Sequence, residues 1–178
     1  MTDAREIAPD FNCREVTIRA MQRADLAAVI DLDARVFGQE RSTYFERRLA
    51  MLNCPHAGTR PIFLVAEYRE TIIGFVMGTL AQGEFGLAQV ATIVDSIAVH
   101  PHYQRRGIGQ QLIGSFIGWS AGLGATSVYT LVKEDNWDLL KAFHALGFSL
   151  APVVPLEQRI QQADREAAME GERSWVAM

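Results

Sequence analysis

Apolar and polar positions along the chain fall into two rhythms, and the points where they change predict the elements. Val16, Thr17, Ile18 and Arg19 alternate as a short strand does. From Asp25 onward Leu26, Val29, Ile30, Ala34 and Phe37 recur at helical spacing. Residues 42–52 give a second helix, with Ser42 as its cap and Phe45, Leu49 and Leu52 on one face. Two β-rich runs, 61–68 and 71–80, are joined at Arg69-Glu70 and predict a hairpin. A loop over 81–89 leads to a central strand over 90–99, apolar and β-branched in its second half. A helix over 108–123, a strand over 127–132 and a helix over 136–146 follow. A last strand is expected over 153–160, against the objection of prolines at 152 and 155. The predicted order is β-α-α-β-β-β-α-β-α-β, with a loose leader over 1–14 and a polar, acidic tail over 161–178.

Composition narrows this picture only slightly. The 178 residues suit one domain, and 49% hydrophobic with 21% charged residues is ordinary for a soluble globular chain. A formal charge of −4 argues against nucleic-acid binding. Cys13 and Cys54 have no disulfide-framework spacing, which points to reduced thiols and a cytoplasmic protein. Asp3, Arg5 and Glu6 at the start do not resemble a signal peptide. Residues 107–132 lack any charged side chain, yet six glycines and two glutamines interrupt them, so a buried helix and strand fit better than a membrane span.

The chemistry concentrates in residues 95–112. A β-branched strand stops at Pro101, and Gln104-Arg105-Arg106-Gly107-Ile108-Gly109 leads directly into a helix. Glycines let successive N–H groups converge, a helix N-terminus favours an anion, and two arginines stand beside it. This is a cradle for a phosphate or diphosphate. A P-loop is excluded because no Gly-Lys-Ser/Thr follows, and a dinucleotide fingerprint is excluded because Leu112 occupies its third glycine position.

Val99-His100-Pro101 followed by Gln104-Arg105-Arg106-Gly107-Ile108-Gly109 closely resembles the acyl-CoA diphosphate loop of the GNAT superfamily of N-acetyltransferases. A second block, from Asn136 through Phe143 and His144 to Gly147-Phe148, resembles that family's Asn…Tyr…Gly-Phe segment. The resemblance spans roughly residues 15–160 and implies an α/β (α+β) fold, a mixed central sheet of about six or seven strands splayed between the fourth and fifth and flanked by about four helices. It further implies acetyl-CoA as acyl donor and an amine as acceptor, with no metal. Ile97, Ala98 and Val99 would contact pantetheine through the main chain, with Val99 N–H polarising the thioester carbonyl. Gln104, Arg105, Arg106, Gly107, Ile108 and Gly109 would hold the diphosphate, and Asn136 and Phe143 would lie near the pantetheine arm. Asn136 also reads simply as a helix cap, and Phe143 as core.

Transfer to an amine needs a base, because an alkyl ammonium with a pKa of about 10 is mostly protonated at neutral pH. Asp95 is the first candidate, placed by strand alternation on one face with Ile97 and Val99. The alternative is that it only fixes a neighbouring arginine or backbone group. Glu84 is the second candidate. Where many members of the family have Tyr, this chain has Phe143, which has no proton to give the departing thiolate. His144 and Tyr129 are the substitutes within reach. The acceptor pocket is expected around residues 37–44, Glu84-Phe85 and Trp137, and these do not identify the amine. The competing class is a non-catalytic acyl-CoA-binding regulatory module.

Two strings are decoys. Gly118-Trp119-Ser120-Ala121-Gly122 spells a nucleophile elbow, but it falls late in a predicted helix rather than after a strand. His100-Pro101-His102 and Cys54-Pro55-His56 lack the further ligands of a metal site. The helix over 108–123 also has an unusually small, uncharged outer face at Gln111, Gly114, Ser115, Gly118 and Gly122, which predicts cover from the tail or from a second subunit in a homodimer.

Overall fold

The computed structural model describes residues 11–53, 60–82 and 89–158. Strand β1 (Thr17–Ala20) is followed by helices α1 (Leu26–Phe37) and α2 (Ser42–Asn53), then by strands β2 (Arg60–Tyr68), β3 (Thr71–Gln82) and β4 (Val90–Val99). Helix α3 (Ile108–Gly122), strand β5 (Ser127–Thr130) and helix α4 (Trp137–Ala145) complete the order. The sheet runs β1-β2-β3-β4-β5, antiparallel except for the parallel β4–β5 pair. Among the described residues it has five strands, where six or seven were expected. Residues 153–158 adopt neither helix nor strand, and Pro152 and Pro155 explain why, since each lacks the N–H a ladder needs. Residues 159 and 160 lie outside the described residues.

The chain divides into two compact units, Met1–Phe148 and Ser149–Met178. In the first, both faces of the sheet are covered, which is why β2 and β3 are apolar at consecutive positions. Ile62, Leu64 and Ala66 of β2 join Leu112, Ile113 and Phe116 of α3 on one face. Phe63 and Val65 join Val29, Leu32, Phe45 and Leu49 of α1 and α2 on the other. Full burial of a side chain such as Phe45 or Phe116, both 0% exposed, contributes about 1.5–3 kcal/mol. Gly78 lets α3 pack closely, because a Cβ there would stand 2.6 Å from a ring carbon of Phe116 and 2.2 Å from the Ile93 carbonyl oxygen.

The β2–β3 hairpin turns through Arg69 (φ 47°) and Glu70 (φ 63°), the left-handed pair that a two-residue hairpin needs to match strand twist. Within the expected leader Phe11 is packed, its ring 4.9 Å from Tyr68 and 5.2 Å from Tyr103, while residues 12–14 are exposed. The uncharged run 107–132 is α3, a turn at Gly124 and β5, and among the described residues no helix is long and apolar enough to cross a membrane.

Candidate active site

Strand β4 builds the site by outlasting its neighbour. Its parallel pairing with β5 begins at Ala91↔Ser127 and stops at Val94↔Thr130, while β4 continues to Val99. Successive N–H groups of a strand point to opposite edges. His100 N–H donates to Ile73 O of β3 at 2.8 Å, so the N–H groups of Val99 and Ile97 face the edge that β5 has left. Val99 O faces the same way and accepts from Gln104 Nε2 at 2.9 Å, tying the following loop to the strand end. Ala98, expected to share this role, is turned the other way. Its side chain is 4% exposed in the cluster with α1 and α2, and it pairs with Phe75 of β3.

Asp95 is the residue at which pairing with β5 has just ended, and it sits in a β-bulge. The β3–β4 register passes from Met77↔Ser96 to Gly78↔Val94, so Asp95 has no partner residue on β3. A bulge puts two successive side chains on one face. Ser96 meets Arg41, Asp95 meets Thr79 and Arg48, and Ala98 joins the α1–α2 cluster, while Ile97 and Val99 pack on the α3 side. The expectation that Asp95 shares a face with Ile97 and Val99 is therefore corrected: the extra residue inverts the alternation between them.

Two arginines from α2 and the turn before it reach this face. Arg48 Nη2 donates to Asp95 Oδ2, and Thr79 Oγ1 donates to the same oxygen at 3.1 Å. Both side chains of the ion pair are 18% exposed, whereas the Asp95 main chain at the bulge is open. Burial pushes the Asp95 carboxyl above its ordinary value, against the opposing influence of Arg48 and Thr79. Arg41 grips the fully buried Asp33 through Nε at 2.8 Å and through Nη2, and also donates to Ser96 Oγ at 3.1 Å. Asp33 holds the Arg41 guanidinium well above its usual range. Both guanidiniums approach the Tyr44 ring, Arg41 at 5.2 Å and Arg48 at 5.6 Å.

The other half of the site is the turn into α3. Gly107, at φ +83°, is the N-cap and has no side chain to cap the helix, so the first-turn N–H groups have no side-chain acceptor there. Nothing lies within 4 Å of where its Cβ would be. Arg105 is also left-handed, at φ 58°. Gly109 is ordinary helix, contrary to the expectation that it too supplies an unusual conformation; a Cβ there would meet only Val99 at 4.0 Å. Ile108 is 1% exposed, packed in the cluster with Leu112 and Phe116. Arg105 and Arg106 are exposed, and the Arg106 guanidinium stacks 5.2 Å from the Phe11 ring. These donors, with no acid among residues 100–110, suit a polyanion.

On α4, Asn136 Oδ1 accepts from Leu139 N–H at 3.2 Å, the capping role its position predicts. Phe143 is 6% exposed and packs on Phe148 with ring centroids 5.0 Å apart. His144 is exposed beside it, Trp137 is 67% exposed, and Tyr129 is half-buried on β5. Glu84 and Phe85 lie outside the described residues. Ser120 of the elbow-like string is buried in α3, where it accepts from Thr92 Oγ1 at 2.9 Å and donates to Phe116 O at 2.7 Å. No group of three or more potential metal ligands occurs among the described residues. On the outer face of α3, Gln111 Nε2 donates to Cys13 O at 3.3 Å, and nothing lies within 4 Å of a Cβ built at Gly114, Gly118 or Gly122.

Residues 26–148 match the family model described as Acetyltransferase (GNAT) family. An acetyltransferase of Pectobacterium atrosepticum is 30% identical over 105 residues, covering 59% of this chain and 69% of the relative. The L-methionine sulfoximine/L-methionine sulfone acetyltransferase of Salmonella typhimurium is 24% identical over 146 residues, covering 79% of this chain and 84% of the relative. Among solved structures, the aminoglycoside N-acetyltransferase AAC(6')-Iy in complex with CoA superposes with a TM-score of 0.69 at 19% identity, covering 81% of this chain and 94% of that one, a likeness of fold.

Proposed function

The chain belongs to the acetyltransferase (GNAT) family, and from that premise we propose that it moves an acetyl group from acetyl-CoA to a primary amine by direct transfer within a ternary complex. The observation that carries this reading is the open edge of β4. In support, Gln104 ties the end of that edge at Val99 to the loop entering α3, whose N-terminus has no side-chain cap, and Asp95 lies in the bulge two residues before Ile97.

In this reading Gly107 and Ile108 main-chain N–H groups, with Arg105 and Arg106, bind the diphosphate, and the Ile97 and Val99 edge binds the pantetheine arm. Val99 N–H donates to the thioester oxygen as negative charge develops on it. Asp95 accepts the proton that the ammonium must lose. The amine nitrogen then bonds to the acetyl carbon, the carbon–sulfur bond breaks, the thiolate leaves with the bonding pair, and the second proton of the nitrogen reaches that thiolate through water. The balance is ammonium plus acetyl-CoA giving acetamide, CoA thiol and one proton. Phe143 gives the thiolate no proton, but a thiol pKa of about 8.5 makes unprotonated departure cost only about 2 kcal/mol at neutral pH, and water completes the step. Exposed His144 is not needed for it.

The test is release of free CoA from acetyl-CoA with and without a panel of amines. Amine-dependent release with formation of the acetylated amine is the expected result. Tight acetyl-CoA binding with no release on any amine would replace this reading with that of a non-catalytic acyl-CoA-binding module.

A further inference from the structure

The Asp95–Arg48 pair is incompletely used. Its two bonds to Asp95, from Arg48 Nη2 and Thr79 Oγ1, both end on Oδ2, so Oδ1 has no partner among the described residues. Arg48 likewise spends Nη1 and Nη2 on Met51, Thr79 and Asp95, and its Nε has no partner among them. Each side chain keeps 18% of its surface open. The ion pair thus keeps one carboxylate oxygen and one guanidinium N–H without a hydrogen-bond partner among the described residues, near the point where β4 loses β5.

We propose that the acceptor is a free α-amino acid, its ammonium received by Asp95 Oδ1 and its carboxylate by Arg48 Nε. This names the substrate of the acetyl-transfer reading above and rests on it. An α-amino acid carries opposite charges on two groups bonded to the same carbon, and an acid–arginine ion pair presents the inverse arrangement. Docking one on the other extends a two-charge contact into a four-charge square without stripping either protein group of its present partner. Charge-assisted bonds of this kind are the strong ones, and the guanidinium fork is suited to a carboxylate. Asp95 then holds the amine that reacts, and Arg48 acts as a positioning residue.

Polycationic acceptors fit the same face less well. Asp33 is 0% exposed and is taken by Arg41, and Asp95 is matched by Arg48, so these two enclosed acids bring no net negative charge. An amine without a carboxylate would satisfy Asp95 and leave Arg48 Nε facing a cation at close range. Peptide N-termini have the α-amine but no α-carboxylate, and they meet the same penalty.

The test compares, on the full chain with acetyl-CoA, free α-amino acids of varied side chain, their α-carboxamides, a short peptide, a linear diamine and an aminoglycoside, reading amine-dependent CoA release. Free amino acids should turn over, and the carboxamide of the best one should lose about 10- to 100-fold in kcat/KM, carried mainly by KM, as removal of a charge-assisted hydrogen bond does. Arg48→Met should make acid and carboxamide equal, and Arg48→Lys should restore part of the difference, with retained acetyl-CoA binding as the control for folding. The wild-type comparison needs no variant to decide the matter. Carboxamides, peptides, diamines or aminoglycosides used as well as free amino acids would overturn the inference and leave acetyl transfer standing. Release with no amine at all would remove both.

Discussion

Arg48 of α2 and Asp95 of β4 form an ion pair on the face of the sheet opposite Ile97 and Val99, at the point where β4 and β5 part. The pair exists because a β-bulge turns Asp95 toward α2. It lies between the face covered by α1 and α2 and the edge of β4 that β5 has left.

This pairing fixes the sign of a pH effect. Burial raises the Asp95 carboxyl above its ordinary value, and Arg48 is the larger influence opposing that rise. A base works only when ionised, so kcat/KM should fall on the acid side at a pH above that of an ordinary carboxylate. Arg48→Met removes a lowering influence, and its acid limb should move to still higher pH. A pH profile of kcat/KM for the variant and the wild type reads this directly, and a limb that moves to lower pH would reverse the assignment.

Gly107 tests the donor half separately. Alanine meets no neighbour there, so its cost is the left-handed backbone, about 1–2 kcal/mol. That loss should lower the thermal midpoint by only about 2–8 °C for a chain of this size. Any relaxation toward negative φ would swing the first-turn N–H groups off the diphosphate. Gly107→Ala should therefore weaken acetyl-CoA binding in a titration while the protein stays folded, and undiminished affinity would remove the loop from the donor site.

A third expectation concerns stability. Arg19 donates to Asp25 at 2.7 and 2.9 Å and to Glu67 at 2.7 Å, and Gln22 N–H donates to Asp25 at 2.7 Å. The bond from Arg19 is the main reason the Asp25 carboxyl lies below its ordinary value. A depressed carboxyl stabilises the fold above its unfolded-state pKa and loses that contribution as pH falls through the folded one. Asp25→Asn should cost about 1–3 kcal/mol in urea unfolding at pH 7, the scale of hydrogen bonds to charged groups. The gap from wild type should close as pH drops below the usual carboxylate range.

Much of the fold was legible because its strands and helices follow strict periods. The span of β4, the hairpin at Arg69-Glu70 and the start of α3 at Ile108 all match the sequence pattern. The bulge at Asp95 was not legible, since one unpaired residue leaves no mark in an apolar run and depends on where β3 pairs. No strand forms over 153–158 despite the apolar residues there, because Pro152 and Pro155 lack the N–H a ladder needs. Arg48 was overlooked, although a signal was present. Arg41, Phe45, Arg48, Leu49 and Leu52 follow a helical stripe, and arginines on an otherwise apolar face call for buried carboxylates such as Asp33 and Asp95. The exposed small-residue face of α3 is explained by the described residues only at Gln111.

The most direct test of the account is the kcat/KM of Asp95→Asn for its best amine acceptor, measured on protein whose acetyl-CoA affinity equals that of the wild type. Asparagine keeps the shape and removes the base, so the rate should fall by about 10²- to 10⁴-fold, the range of general-base catalysis. A rate within a small factor of wild type would contradict the role of Asp95, and with it the chemistry assigned to the β4 bulge.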